Sequence, residues 1–183
     1  MRKLVLNLSF GILAALACTS YALAAFPPPI CQKFEGTLTL SIDPACQILT
    51  RSDTRIYFPD LLLPNGLSQF LGVPGTCFTG TITNGKLDNR PVTGTSYSGQ
   101  TTHNLESPAQ FSAATTLVLT NPNESPIGNI YFRDAGLFTD AAGSVREQLV
   151  VVGANGLFWG VKGTVQIAGN EFIGAPVTGQ FCR

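Results

Sequence analysis

The chain has 183 residues with eleven Lys plus Arg, eleven Asp plus Glu and a single His, so its formal net charge is zero and only 12% of it is charged. That length suits one domain, and the charge balance lacks the basic footprint of a nucleic-acid binder. With 44% hydrophobic residues and little charge, the composition also argues against a disordered chain.

The amino terminus reads as a targeting segment. Arg2 and Lys3 precede an apolar stretch from Leu4 to Cys18, and Ala22-Leu23-Ala24 supplies the small residues of a cleavage site. This is the pattern of a secretory signal peptide, residues 1–24, cut after Ala24. A membrane span needs about 20 continuous apolar residues, and Asn7, Ser9, Thr19 and Ser20 interrupt this one. Ala15-Leu16-Ala17 is a poor lipoprotein signal before Cys18. The expected mature protein is therefore a single domain over residues 25–183, weakly acidic, without a transmembrane segment, and secreted or periplasmic. Cys31, Cys46, Cys77 and Cys182 remain in it, which in an exported chain implies two disulfides with three possible connectivities. The preferred pairing joins Cys31 to Cys182, stapling the ends, and Cys46 to Cys77. No C-x-x-C pair exists and His103 is the only histidine, so neither zinc nor another metal is expected, and no cofactor is implied.

Lys33 to Ile42 alternates: Phe34, Leu38, Leu40 and Ile42 fall on one face with Gly36, and Lys33, Glu35, Thr37, Thr39 and Ser41 on the other. Period two predicts a strand buried on one side. Further strands are expected at Gln47–Thr50 and Thr54–Phe58, followed by an apolar loop from Pro59 to Pro74. Asn84-Gly85 between β-rich arms predicts a type I′ hairpin turn. Tyr97 and His103 fall in what reads as a polar surface loop. GTSYSG, residues 94–99, only approximates a nucleophile elbow, since Ser98 stands where its second glycine belongs and no helix follows. Strands are expected at Phe111–Thr120, Ile127–Asp134, Ser144–Val152, Val161–Ile167 and Glu171–Phe181. Leu149 to Val152 suits a strand buried on both faces. GTITNGKLDNRPVTG (80–94) and GTVQIAGNEFIGAPVTG (163–179) share their opening and closing residues, and both read as hairpins. The fold class is all-β: short antiparallel strands in an up-and-down barrel of about eight strands or a sandwich.

Gly153, Gly156, Gly160 and Gly163 crowd one stretch, where strand–turn–strand order excludes a phosphate-binding loop. Glycines inside the strand let a sheet bend and let a bulky neighbour, Phe158 or Trp159, lie over bare backbone. VREQLVVVGANGLFWGVKGTV resembles a segment of dirigent proteins and the wider allene oxide cyclase barrel superfamily, where a strand with Arg-Glu-x-x-Val-Val-x-Gly is followed by x-x-Gly-x-Phe and a Gly-containing strand. Arg146, Glu147, Val150, Val151, Gly153, Gly156, Phe158 and Gly163 fit that pattern, and the resemblance covers roughly Thr115 to Ile167. It implies an eight-stranded calycin-like or dirigent-like barrel that holds a hydrophobic small molecule, sometimes guiding its cyclisation or radical coupling, and often self-associating into homo-oligomers.

Asp134 and Glu147 are the candidate catalytic groups, and Phe132, Phe158 and Trp159 the candidate ligand contacts. Asp134 follows Ile130 and Phe132 at period two, so on an interior face its pKa would be raised; the plainer reading is a turn at a strand end with Gly136. Arg146 and Glu147 point to opposite faces, and Tyr131 and Arg133 outward. No carboxylate pair of the glycosidase kind is marked: Asp43, Asp60, Asp88 and Asp140 sit in turns. Three functions fit: an exported barrel binding an apolar or aromatic molecule in its lumen, a dirigent-like or cyclase-like enzyme using the same lumen, or an interaction module with a filled interior. A lumen of about 300 Å³ or more with convergent polar groups would favour the first two.

Overall fold

The computed structural model describes residues 29–59 and 77–183. The expected signal peptide, Asp60 and all but the first residue of the Pro59–Pro74 loop lie outside them.

Eight antiparallel strands, each hydrogen-bonded to the next and the last to the first, close a barrel. In chain order they are β1 (Cys31–Ile42), β2 (Cys77–Leu87), β3 (Arg90–Asn104), β4 (Gln110–Thr120), β5 (Pro126–Phe138), β6 (Ser144–Ala154), β7 (Lys162–Asn170) and β8 (Ala175–Cys182). Closure satisfies the edge groups that an open sheet would leave unpaired. β1 and β8 form the seam, with Cys31 paired to Cys182 in register and bonded to it as a disulfide. Cys46 and Cys77 form the second disulfide.

The alternation of β1 holds: Phe34 and Leu38 are buried in the barrel, while Lys33, Glu35 and Thr39 face outward. Both echo segments are hairpins, β2–β3 and β7–β8. Asn84-Gly85, however, is not a turn. The register slips there against both neighbours, with Asn84 at φ 53°, so the pair forms a β-bulge inside β2. The turn follows at Asp88-Asn89, where φ is 48° and 66° and Leu87 faces Arg90. Positive φ at both central positions is what a two-residue hairpin needs; Asp and Asn tolerate it, and Asp88 also accepts the Lys33 backbone N–H at 2.7 Å.

The two strands expected at 47–58 are instead a 3-10 turn at Gln47–Thr50 and a short helix α1 at Thr54–Tyr57. Asp43 is buried and accepts the backbone N–H groups of Ala45 and Gln47, which folds the chain back before a strand can form. This segment lies on the outside of the barrel, where Ile48 and Phe58 pack on Ala114 and Tyr131. Tyr131 thus points outward as expected yet is fully buried, stacked on Tyr57 at 3.7 Å. Its hydroxyl donates to Asp53 at 2.6 Å and accepts from Asn155 at 2.9 Å. Burial would raise Asp53, but the Tyr131 hydroxyl and Arg51 outweigh it and hold the carboxyl below its ordinary value. Burial and the same carboxylate push the Tyr131 phenol up.

Glycines do allow bulky neighbours onto bare backbone, with different partners from those expected. A Cβ at Gly153 would lie 2.2 Å from the Tyr57 ring, and one at Gly163 2.0 Å from the Gln180 carbonyl oxygen. Leu149 to Val152 is buried on one face only: Leu149 and Val151 point in, while Val150 and Val152 are exposed. That segment is regular wall, with its outer side exposed among the described residues.

Candidate functional site

The two ends of the barrel differ. Phe34, Phe132 and Phe158 surround Phe181 with ring centroids 5.6, 6.3 and 6.1 Å away, so one end is filled. The other half of the lumen is hollow, a cavity of about 390 Å³, inside the about 300–1,000 Å³ range of small-molecule sites. It reaches the surface at a rim where the lining residues Ile42, Leu105 and Phe172 are exposed. Phe172 meets Phe78 edge to face there. A broader depression of about 800 Å³ lies on the outer wall, lined by Gln110, Arg146, Gln148 and Gln166 among others, but gathers no cluster of buried carboxyls.

The walls are mainly Leu, Ile, Val and Phe, with one polar arc. β3 contributes Ser96, Ser98 and Gln100, β4 Thr115, β5 Asp134, β6 Glu147, and the β7–β8 turn Glu171. Strand pairing explains the convergence. Ser98 faces Thr115 across β3–β4, and Asp134 faces Leu149, two residues from Glu147, across β5–β6, a diagonal that brings side chains of one face together. Glu171 is fixed by its carbonyl, which accepts the Leu40 backbone N–H at 2.7 Å. Among the described residues the lining includes three carboxyls and no Lys, Arg or His.

Electrostatics follow from that imbalance. Asp134 is buried; its Oδ2 accepts the Thr115 hydroxyl at 2.5 Å, and its Oδ1 is buried with no partner among the described residues. Burial lifts its pKa to about 7, the Thr115 hydrogen bond opposes this, Glu171 adds to it, and Arg133, outside the wall, lowers it slightly. Glu147 is raised well above its ordinary value by burial, then by Asp134 and Glu171, and it hydrogen-bonds Glu171. Glu171 is raised to about 7 by burial, with the Glu147 bond opposing. Near neutrality the cluster therefore holds protons and can give or take them.

The sequence-derived candidates divide accordingly. Phe132, Asp134 and Glu147 line the cavity. Asp134 lies in the middle of β5, which runs on to Phe138, so the strand-end turn is corrected. Phe158 is buried in the filled end and does not line the cavity. Trp159 is 68% exposed, because the tight Gly156–Phe158 turn delivers only one of two adjacent aromatic rings to the barrel. Tyr97 lies within strand β3, not in a loop, and Arg51 sits 4.7 Å over its ring. Glu171, expected at the start of a strand, is in a turn. Ser96, Thr115 and Glu171 escaped the sequence reading, and so did the grouping of carboxyls: residues 13 and 24 positions apart show no pattern until the wall closes.

Fold and site together define a small closed β-barrel with a half-hollow, apolar lumen that carries an acidic cluster. Comparison with protein-family models, curated proteins and solved structures returned no match.

Proposed function

We propose that the protein is an exported barrel that binds an apolar or aromatic small molecule in the hollow half of its lumen. The observation that carries this reading is the cavity of about 390 Å³ with apolar walls and one convergent polar arc. An interaction module with a filled interior has no use for such a space, since interiors normally pack to crystal-like density. Export is supported by the pattern of residues 1–24 and by two disulfides, which persist in oxidising compartments. Among the described residues no helix is long and apolar enough to cross a membrane. Native mass spectrometry of protein purified from its own source tests the reading: a co-purifying apolar molecule supports it. An empty lumen, together with no apolar compound that raises the melting temperature, overturns it.

One observation favours a second reading. Asp134 and Glu147 line the lumen with raised pKa values, which suits proton transfer to a substrate held in one folded conformation. That is the role expected of a cyclase-like or dirigent-like enzyme, and the local resemblance of residues 115–167 to that superfamily points the same way. A compound that co-purifies with Asp134→Asn protein and is converted by added wild-type protein supports it; the same unchanged compound on both proteins refutes it.

A further inference from the structure

The lumen has a chemical bias beyond apolarity. All its charge-capable groups among the described residues are acids. Asp134 faces Thr115 and Ala113 on β4, Glu147 on β6 and Glu171 in the β7–β8 turn; Arg133, the adjacent cation, sits outside the wall over the Phe58 ring. Among the described residues, two polar atoms in the lumen are buried without a hydrogen-bond partner: Asp134 Oδ1 on β5 and Ser96 Oγ on β3. Both residues line the cavity and are more than nine-tenths buried. Native proteins seldom leave such groups unsatisfied, because a buried polar atom with nothing to pair with keeps the full cost of its lost hydration. The cluster does not group as metal ligands among the described residues.

Resting on the lumen reading, we infer that the bound molecule is an apolar or aromatic amine, whose ammonium group sits among Asp134, Glu147 and Glu171 while its body fills the Leu-, Ile- and Phe-lined half. An ammonium offers three donors and no acceptor. It satisfies Asp134 Oδ1, leaves donors for Glu147 and Glu171, and brings a positive charge to a lining whose described ionisable groups are all acids. An acidic ligand would add a fourth acid to the three, and a hydrocarbon would leave both orphan atoms unpaired. Charge balance makes the event proton-linked. When the ammonium enters a protonated cluster, a carboxyl O–H breaks, its proton leaves to solvent, and the carboxylate formed pairs with the ligand cation. Affinity therefore falls as acid re-protonates the cluster.

Three isosteric probes separate this inference from the reading beneath it: naphthylmethylamine, naphthylmethanol and ethylnaphthalene, titrated by calorimetry into the folded protein. The amine is protonated from about pH 5 to pH 8. At pH 8 it is expected to bind at least tenfold more tightly than either neutral probe, the advantage shrinking to less than threefold at pH 5. Asp134→Asn is expected to remove the advantage while ethylnaphthalene binding persists; the pH series on wild-type protein stands even if that variant fails to fold. Equal binding of amine and ethylnaphthalene at pH 8 overturns the amine inference and leaves the lumen reading standing. A preference for the alcohol over the amine overturns it as well. If none of the three binds, the lumen reading falls, and the inference with it.

Discussion

The filled and hollow ends of this barrel use the same strands in different ways. At the filled end Phe34, Phe132, Phe158 and Phe181 interlock, and Leu119 and Ile130 are fully buried beside them. At the hollow end the same inward positions carry Ser96, Ser98, Ala113, Thr115, Asp134 and Glu147. Short and polar residues replace large apolar ones, and space opens. One end supplies the burial that holds the wall closed; the other gives up packing and desolvates acids. The stability of the fold and the chemistry of its site are thus separated along the barrel axis.

The largest effect that would sharpen this contrast is Phe181→Ala, which removes the hub of the filled end and is expected to cost about 3–5 kcal/mol in chemical denaturation. Replacing Cys31 and Cys182 by Ser opens the seam that closes the wall and should cost about 2–5 kcal/mol by the same measurement. The hollow end should behave oppositely. Its buried carboxyls have raised pKa values, about 7 for Asp134 and Glu171, so the folded state binds more protons than the unfolded chain between about pH 4 and pH 7. Stability then falls as pH rises through that window, and Glu147, raised well above its ordinary value, adds to the fall. Asp134→Asn should flatten the slope and stabilise the protein at pH 8 by about 2–4 kcal/mol. A stability profile that rises from pH 5 to pH 8 would break the comparison. The smallest effect is a matched pair: Ala154→Leu crowds the filled end and should cost about 1–3 kcal/mol, whereas Ala113→Leu extends into the cavity and should change stability by under about 1 kcal/mol.

Residues that obey one simple rule were legible in the sequence. The inward positions of β1 alternate without interruption, the repeated Gly-Thr … Pro-Val-Thr-Gly segments mark two hairpins, and the four cysteines pair as preferred. β3 was hidden for a physical reason. Its inward positions, Gly94, Ser96, Ser98 and Gln100, are small or polar because they line the lumen, so the apolar period that identifies a strand is absent. Residues 47–58 misled in the other direction: Ile48 and Phe58 look like strand core but bury themselves against the outer wall through turns set by Asp43. Bulge and turn both ask for positive φ, so Asn84-Gly85 and Asp88-Asn89 could not be told apart without the register. The site was half visible. Asp134 stood out as an acid at period two from Ile130 and Phe132, and Glu147 as one of two neighbours on opposite faces of a strand without a sign of which faced in, while Glu171 joins them only through a turn that no periodicity reports.

The central claim is that the hollow end is apolar and lined by buried acids. It is tested most directly by the carboxyl carbon resonances of Asp134, Glu147 and Glu171, followed by NMR as the pH is raised. The account predicts that Asp134 and Glu171 titrate near 7 and Glu147 well above the ordinary glutamate value, each altered when one of the others is replaced by its amide. Independent titration of all three near 4, as in open water, would contradict it.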